Sequence, residues 1–369
     1  MRHVENELAE QPRIPVGILG ATGAVGQKFI ELLDGHPWFE ITALAGSERS
    51  AGQRYGDVVR WKALTPIPDR IASMVVENPK PGLPCRIVFS ALPSSVAGSI
   101  ERAFADAGYV VISNSRNHRM FDDVPLVIPE VNADHMALIE LQSSYAGGGF
   151  IVTNPNCSTT GLVSALSPLH DAFGVEAVQV TTMQALSGAG YPGVASLDAL
   201  GNIIPLIPDE EEKLESEPRK ILGTFTGSGI TDASVTISAQ CNRVPVIDGH
   251  MISVSVRFER EVRPAEVETA LRDFETPEWL TDLPSAPDRF VAVQDAADAP
   301  QPGRHLDEGN GMTVSVGRIQ ACRINHVKFV ALVHNTVRGA AGGAILNAEL
   351  LASRGLLEPS ERLAVTTAS

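Results

Sequence analysis

The stretch Arg13-Ile-Pro-Val-Gly-Ile-Leu19, followed by Gly20-Ala-Thr-Gly-Ala-Val-Gly26, decides the fold of this 369-residue chain. The first seven residues are typical of a strand, and residues 41–45 are typical of a second one. Between them, apolar side chains recur at helical spacing: Val25, Phe29, Leu32 and Leu33. A strand, a glycine turn, a helix and a strand in this order predict an α/β fold that opens with a doubly wound parallel sheet.

The glycine turn at residues 20–26 has the spacing Gly-x-x-Gly-x-x-Gly. Glycine allows a tight turn and a close approach of the backbone to a pyrophosphate, which then lies on the helix N-terminus. A turn that binds nothing is the alternative, but the flanking strand and amphipathic helix favour a Rossmann-like dinucleotide-binding domain. The predicted cofactor contacts in this turn are Gly20, Thr22, Gly23, Ala24, Val25 and Gly26.

The segment Ser47-Glu-Arg-Ser50 follows the second predicted strand and bears on the choice of cofactor. An acidic residue at this point usually holds the ribose 2′-hydroxyl of NAD. Arg49, flanked by Ser47 and Ser50, instead suits the 2′-phosphate of NADP, since guanidinium and phosphate match bidentately. Glu48 leaves NAD open as an alternative, and a solvated polar turn is a third interpretation. We predict NADP, bound through Ser47, Arg49 and Ser50.

The segment Asn154-Pro-Asn-Cys-Ser-Thr-Thr-Gly161 places Cys157 directly before an apolar-periodic run. Unpaired N–H groups at a helix N-terminus lower the pKa of a thiol and can stabilise an oxyanion. This predicts a nucleophilic cysteine, with a small buried packing residue as the alternative. His250, at the head of a predicted strand, is the candidate for proton transfer, although a lone histidine there is more often structural. Arg243 could bind a carboxylate in the same cleft.

The remaining pattern predicts more of the parallel sheet and then a second domain. Before Cys157 we expect strands at 86–92, 109–113, 126–128 and 150–153, with helices at 96–107 and 132–142. After it we expect strands at 177–186, 235–238, 250–259, 318–324 and 327–333, a surface loop at 282–311 and a helix at 340–351. The longer connections predict a second, α+β domain over 157–337. The last helix is expected to return to the first domain, which would comprise 1–156 and 338–369.

Composition and charge disfavour several classes of protein. The net charge of −15 disfavours nucleic acid and anionic membranes as partners. No run approaches the roughly 18 apolar residues that a membrane span needs. Residues 1–11 are polar and acidic, without the apolar segment of a signal peptide, so we expect a cytoplasmic protein. The four cysteines lie far apart without metal-ligand spacing, so we predict neither a disulfide framework nor a metal site.

Six motifs carry a resemblance to a known family. In chain order they are the glycine turn at 20–26, Asn154-Pro-Asn-Cys-Ser-Thr159, Gln184-Ala-Leu-Ser-Gly-Ala-Gly-Tyr-Pro-Gly193, Glu210-Glu-Glu-Lys213, Cys241-Asn-Arg-Val-Pro-Val-Ile-Asp-Gly-His250 and Arg338-Gly-Ala-Ala-Gly-Gly343. With these motifs in this order, the chain resembles the aspartate-semialdehyde dehydrogenase family nearly end to end. The resemblance is to the archaeal and fungal branch of that family.

The resemblance implies a set of roles. Cys157 would be the nucleophile, His250 the general acid/base, and Gln184 the residue that orients the acyl intermediate. Arg243 and Glu210 look like the pair that binds the α-carboxylate and the α-amino group of the substrate. The phosphate-binding set would be Arg119, Asn156 and Lys213, and further cofactor contacts would be Ser187, Gly188 and Asn335. Without the resemblance, we would interpret the segment 210–213 as a solvated helix turn. The chain departs from the family at one position, where His334 replaces the acidic residue expected before Asn335.

The implied reaction is the NADPH-dependent reductive dephosphorylation of 4-phospho-L-aspartate to L-aspartate 4-semialdehyde and phosphate. This reaction belongs to lysine, methionine and threonine biosynthesis, and a homodimer or homotetramer would carry it out. The resemblance implies that the α+β domain over 157–337 is the catalytic and dimerisation domain. Malonyl-CoA reductase, which resembles the same family and releases CoA, is the alternative. It lacks the Glu-Glu-x-Lys signature because its substrate has no amino group, so Glu210 and Lys213 favour the amino-acid substrate. A non-catalytic NADP-binding regulatory protein is a third hypothesis.

Overall fold

The computed structural model describes residues 12–357 of the chain. Residues 1–11, on which the expectation about a signal peptide rests, lie outside the described part. Residues 358–369, the end of the predicted first domain, also lie outside it. Among the described residues, no helix combines the length and the apolar composition that crossing a bilayer requires.

The first sheet has six parallel strands in the order β3-β2-β1-β4-β5-β6. These strands are β1 (Ile14–Leu19), β2 (Phe39–Ala45), β3 (Val76–Glu77), β4 (Ile87–Ser90), β5 (Val110–Ser113) and β6 (Phe150–Thr153). The strand order reverses between β1 and β4, and doubly wound folds bind their ligands outside the carboxyl ends of the strands at such a point. The predicted Rossmann-like domain is confirmed.

The α-helices of the described part vary from single turns to five turns. They are α1 (Ala24–Leu33), α2 (Tyr55–Val58), α3 (Asp69–Ser73), α4 (Ser94–Asp106), α5 (Pro129–Asn132), α6 (Cys157–Phe173), α7 (Ser196–Ala199), α8 (Glu210–Ile221), α9 (Pro264–Arg272), α10 (Pro302–His305) and α11 (Gly342–Ser353). The longest of them, α6, begins at Cys157, as the sequence predicts. It follows β6 of the first sheet and leads into the second sheet.

The glycine turn between β1 and α1 depends on the absence of side chains. Gly20 has a φ of +79°, and a Cβ on it would lie 2.7 Å from the carbonyl oxygen of Ala91. A Cβ on Gly26 would lie 2.3 Å from the carbonyl oxygen of Gly20. Both positions therefore require glycine, the first for its conformation and the second for the close packing of α1 on the turn.

The second sheet is mixed, with the strand order β10-β7-β11-β14-β13-β12. Its strands are β7 (Val175–Gln184), β10 (Thr236–Arg243), β11 (His250–Phe258), β12 (Val291–Val293), β13 (Val314–Ala321) and β14 (Val327–Val333); β8 (Thr224–Phe225) and β9 (Ile230–Thr231) pair apart from it. Leu162 and Leu166 of α6 belong to the same apolar core as Val180 and Ile252 of this sheet. The predicted α+β second domain is confirmed.

The segment that follows β14 returns to the first sheet. After β14 a short π-helical turn, Val337–Ala341, leads into α11. Ile345 and Leu350 of α11 are buried in one core with Ile18 and Ile112 of the first sheet. The expected return of this helix is therefore seen in the packing, with the helix proper beginning at Gly342.

Several predicted elements differ in the structure. Residues 126–128 form no strand, since Leu126 makes a single parallel bridge to Thr153. The helix expected at 132–142 is the end of α5 followed by a 3-10 segment, Ala133–Leu141. The helix is interrupted at Asn132, whose backbone is not helical (φ −140°, ψ 46°) and whose side chain accepts from Ile128 N–H and donates to Leu126 C=O.

Two further differences concern the second domain. The strand expected at 318–324 is β13, which begins earlier, at Val314, and is interrupted by a bulge in which Arg318 has a φ of +54°. The loop expected at 282–311 contains β12 and α10. Helix α8 was not predicted because its segment is highly charged and carries few apolar residues, and the short helix α9 was not predicted either.

Candidate active site

A cleft of about 470 Å³ lies between the glycine turn and the N-terminus of α6. It brings six of the predicted cofactor residues and the predicted nucleophile to one surface. Its lining includes Gly23, Ala24, Val25, Arg119, Asn156, Cys157, Ser187, Gly188 and Asn335. Nine of the residues proposed from the sequence thus meet in one cavity, although they come from positions far apart in the chain.

Cys157 is the first residue of α6, and its backbone is held on two sides. The Asn156 side chain caps the helix, since its Oδ1 accepts from the N–H groups of Ser158 and Thr159 at 2.9 and 3.2 Å. On the other side, a Cβ on Gly339 would lie 2.6 Å from the Cβ of Cys157. Gly339 belongs to the π-helical turn, so this unusual turn packs directly against the candidate nucleophile.

The electrostatics of Cys157 differ from the sequence expectation. Cys157 is partly exposed to the cleft, but the packing around its sulfur, with the carboxylate of Glu210 adding to it, raises the pKa of the thiol to about 12. Arg119, Lys213 and the N–H of Ser158 act in the opposite direction but do not compensate. The lowered pKa expected from the helix N-terminus is therefore wrong for this structure, because loss of solvation outweighs the nearby donors.

His250 starts β11 and is fully buried. The N–H of Ala185 donates to its Nδ1 at 3.0 Å, and its Nε2 has no hydrogen-bond partner among the described residues. Burial, with the nearby positive charge of Arg243 adding to it, lowers the pKa of His250 to about 3. The ring is therefore neutral, and Nδ1 already accepts a hydrogen bond. Its proton is on Nε2.

Glu210 is the centre of a buried polar network. Its carboxylate accepts from Lys213 Nζ at 2.6 Å, from Gln184 Nε2 at 3.1 Å, and from Asn156 Nδ2 at 3.0 and 2.9 Å. Burial works to raise the pKa of Glu210, but Lys213 and the amide donors hold it below its ordinary value. The carboxylate is therefore charged and ties together three residues proposed from the sequence.

Helix α8 carries a buried face of charged side chains, which the sequence interpretation missed. Glu210 and Lys213 are followed at helical spacing by Glu217 and Lys220, and the last two are 2% and 4% exposed. The alternative of a solvated helix turn at 210–213 is thus not what the structure contains. The signal in the sequence was present, since opposite charges recur every three or four residues along this segment.

Arg119 and Arg243 are buried cations that contact the backbone near the cleft. Arg119 donates to Glu217 Oε1 and to Asn114 C=O, each at 2.7 Å, and its Nε has no acceptor among the described residues. Arg119 also lines a smaller adjoining pocket of about 250 Å³ with Asn156 and Lys213. Arg243 donates to Ala185 C=O at 2.7 Å. The same residue, Ala185, therefore holds both Arg243 and His250.

The glycine turn fits a dinucleotide. The N-cap of α1 is Gly23, and no side chain caps the first turn of this helix. A pyrophosphate can therefore approach the backbone N–H groups of that turn. Ser47, Arg49 and Ser50 follow β2, which pairs with β1, so they lie at the same edge of the sheet as Gly20. Arg49 is exposed there, while the Oγ of Ser50 is hydrogen-bonded to Ser47 C=O.

Asn335 links the cofactor side of the cleft to the catalytic side. Its Oδ1 accepts from the N–H of Gly249, the residue before His250, and its Nδ2 donates to Ser187 Oγ, both at 2.8 Å. A Cβ on Gly188 would lie 3.0 Å from the Nε2 of His250, so Gly188 packs closely on that ring. Among the described residues, no group of three His, Cys, Asp or Glu side chains could hold a metal ion.

Two family models match the chain. Residues 15–139 match the model described as semialdehyde dehydrogenase, NAD binding domain, and residues 166–338 match semialdehyde dehydrogenase, dimerisation domain. The cleft with Cys157 lies between these two regions. The fold and the cleft therefore define the class as the semialdehyde dehydrogenases.

Individual relatives narrow the class. An aspartate-semialdehyde dehydrogenase of Archaeoglobus fulgidus is 53% identical over 92% of this chain and 98% of its own length. An aspartate-semialdehyde dehydrogenase of Cryptococcus neoformans is 48% identical over 95% of this chain and 100% of its own length. The crystal structure of aspartate semialdehyde dehydrogenase with NADP from Candida albicans superposes with a TM-score of 0.86 at 43% identity, covering 94% of this chain and 100% of that one. The chain belongs to the aspartate-semialdehyde dehydrogenase family.

Proposed function

We propose that the protein catalyses the NADPH-dependent reductive dephosphorylation of 4-phospho-L-aspartate to L-aspartate 4-semialdehyde and phosphate. The observation that carries this proposal is the cleft in which the glycine turn, Cys157 and the Arg119–Asn156 pair meet. A nucleotide site, a nucleophile and a buried cation in one cavity are what hydride transfer to a phosphorylated acyl group requires. The family membership supports the same reaction, which serves lysine, methionine and threonine biosynthesis.

Cys157 is the proposed nucleophile. Its sulfur attacks the acyl carbon, phosphate leaves, and a thioester to Cys157 remains. NADPH, when bound, supplies the hydride that reduces this thioester. The resulting hemithioacetal on Cys157 collapses to the aldehyde and returns the sulfur. The Cys157 thiol lines the cleft and is partly exposed there, so its proton can pass to solvent before the thiolate attacks.

His250, to which the family resemblance gives the role of general acid/base, is proposed to act here as a hydrogen-bond donor. Because its Nδ1 accepts from Ala185 N–H, the ring offers Nε2–H to the substrate. A buried donor without a partner is suited to stabilise the oxygen that becomes negative as the thioester is attacked and reduced. Gln184, fixed by Glu210 and Thr182, is proposed to orient the acyl group beside it.

The substrate groups have separate proposed partners. Arg243 would bind the α-carboxylate, and Glu210 the α-ammonium group. Arg119, Lys213 and Asn156 would bind the phosphate. The unpartnered Nε–H of Arg119 is a buried donor that an anion would satisfy. A carboxylate held below its ordinary pKa, such as Glu210, remains charged to pair with an ammonium group at neutral pH.

One comparison of assays tests the reaction. The purified protein should reduce NADP with L-aspartate 4-semialdehyde only when phosphate, or arsenate in its place, is present. Malonate semialdehyde with CoA is the matched reaction of malonyl-CoA reductase, an alternative that the relatives do not favour. Activity in that second assay alone would overturn the proposal, and inactivity in both would favour a binding protein.

We also propose a domain division and an assembly. One domain would comprise 1–156 with 338–369 and bind NADP, and the other would comprise 157–337. The match of residues 166–338 to a dimerisation domain indicates a homo-oligomer. We propose a homodimer or homotetramer working in the cytoplasm, and sedimentation velocity on the purified chain would distinguish these sizes from a monomer.

A further inference from the structure

We propose that Glu217 is a positioning residue that fixes Arg119 relative to Cys157; this inference rests on the proposed function. Glu217 lies on the buried face of α8 and contacts two parts of the site at once. Its Oε1 accepts from Arg119 NH1 at 2.7 Å. Its Oε2 accepts from the backbone N–H of Asn156 at 2.7 Å. One carboxylate thus joins the candidate phosphate-binding guanidinium to the residue that precedes the nucleophile.

Lys220, one turn further along α8, holds the backbone of the same segment. Its Nζ donates to the carbonyl oxygens of Arg119, Phe121 and Val124 at 2.8, 2.7 and 2.8 Å. Arg119 is therefore fixed at both ends, through its carbonyl by Lys220 and through its guanidinium by Glu217. Since α8 also carries Glu210 and Lys213, one helix sets the position of both sides of the proposed substrate site.

The chemistry of the contact explains why a carboxylate is needed. Arg119 is 6% exposed, so its charge requires a buried counter-ion, and a long side chain needs fixed partners to hold one rotamer. Both oxygens of Glu217 face N–H donors, an arrangement that only a group with two acceptors satisfies. A guanidinium held in this way presents its remaining Nε–H in a fixed direction, and small displacements of such groups are costly in rate.

The reaction has two steps that depend differently on Arg119. In the direction of semialdehyde oxidation, hydride transfer forms the thioester on Cys157 without phosphate, and phosphate then attacks that thioester. If Glu217 acts by positioning Arg119, its loss should impair the second step. A residue that merely stabilises the fold would impair both steps together and lower the affinity for NADP as well.

The variant Glu217→Gln tests this inference. Glutamine retains the length of the side chain but replaces one acceptor by an NH₂ group, which then faces an N–H donor. The KM for phosphate should rise by about tenfold or more. The yield of NADPH in the first turnover, measured by stopped flow with semialdehyde and NADP, should remain at the wild-type level. Glu212→Gln is the matched control, since Glu212 is exposed on the same helix, and it should change neither quantity.

Either of two outcomes would overturn the inference: an unchanged KM for phosphate, or an equal loss in the first turnover and in the phosphate-dependent step. If Glu217→Gln does not fold, Glu217→Asp provides the same test, because it retains the charge but is too short to reach both partners. An unchanged KM for phosphate in that variant would again contradict the inference. A raised KM for phosphate with an unchanged yield in the first turnover would support it. Absence of phosphate-dependent NADP reduction in the wild type would instead refute the proposed function.

Discussion

The backbone N–H of Ala185 donates a hydrogen bond to Nδ1 of His250 at 3.0 Å. A neutral imidazole has one donor and one acceptor nitrogen, so this contact assigns the proton to Nε2. The ring therefore presents a donor, and not a base, toward its unpaired side. In the reaction this favours stabilisation of a negatively charged oxygen over removal of the thiol proton by His250.

The tautomer of His250 can be observed directly. In protein labelled with ¹⁵N at histidine, the ring of His250 should give the spectrum of a neutral imidazole protonated at Nε2, and His250→Asn identifies its signals. The pattern should persist from about pH 8 down to about pH 5, since the pKa is near 3 and an ordinary histidine titrates near 6.5. A protonated Nδ1, or an imidazolium near pH 6, would contradict the assignment.

The same pKa has a consequence for stability. Between about pH 6.5 and about pH 3 the unfolded chain binds a proton that folded His250 does not, so the free energy of unfolding falls as the pH falls through this window. Above it the contribution of His250 is fully retained. Urea unfolding should show a steeper loss below pH 6.5 for the wild type than for His250→Asn, whose side-chain oxygen can still accept from Ala185. If the free energy of unfolding fell equally with pH in the wild type and in His250→Asn, the predicted low pKa of His250 would be wrong.

Cys157→Ser tests the nucleophile. The substitution should abolish nearly all turnover, because a hydroxyl lacks thiolate character near neutral pH. NADP affinity, measured by fluorescence titration, should be unchanged, since the glycine turn and α1 are not altered. Retention of more than about a tenth of the wild-type rate would be inconsistent with covalent catalysis, which contributes orders of magnitude.

Arg49→Ala tests the choice of cofactor. The exposed guanidinium after β2 is proposed to bind the 2′-phosphate, so its removal should raise KM for NADP far more than KM for NAD. Glu48→Ala is the control from the same turn and should not raise KM for NADP. If Arg49→Ala changed KM for NADP and KM for NAD equally, another residue would have to distinguish the two cofactors.

Glu210→Gln tests the identity of the substrate. Because Glu210 accepts from Asn156, Gln184 and Lys213, the change should reduce activity somewhat with any aldehyde substrate. With aspartate semialdehyde, which bears an ammonium group, kcat/KM should fall by a further tenfold or so, about 1.4 kcal/mol. Succinate semialdehyde lacks that group and provides the comparison. An equal fall for both substrates would assign Glu210 a purely structural part.

The amino-acid sequence was sufficient to predict the helices and strands in which apolar residues recur with a clear period. The unit around the glycine turn and the helix starting at Cys157 could be predicted because strand and helix periods there are unambiguous. Helix α8 could not, since its buried face consists of charges, and burial of charge depends on partners that come from distant segments. Glu217 and Arg119 lie 98 positions apart, so nothing in either local pattern indicates the pair.

The pKa of Cys157 is a second case in which local reasoning was not enough. The N–H groups at the start of α6 are a property of that helix, and they do lower the pKa. The pKa is raised by the packing around the thiol, in which Gly339 takes part, and by the charge of Glu210, and both come from the three-dimensional fold. The tautomer of His250 depends in the same way on the backbone of Ala185, at the end of a neighbouring strand.

The return of α11 to the first sheet has a consequence for how the protein is made. On a ribosome the strands of the first sheet emerge early, but Ile345 and Leu350, which cover part of their apolar face, emerge only near the end. Part of the apolar face of the first sheet therefore stays exposed until the whole second domain has been synthesised. Nascent chains that stall before residue 342 should consequently be clients of chaperones, and folding in this protein cannot proceed one domain at a time.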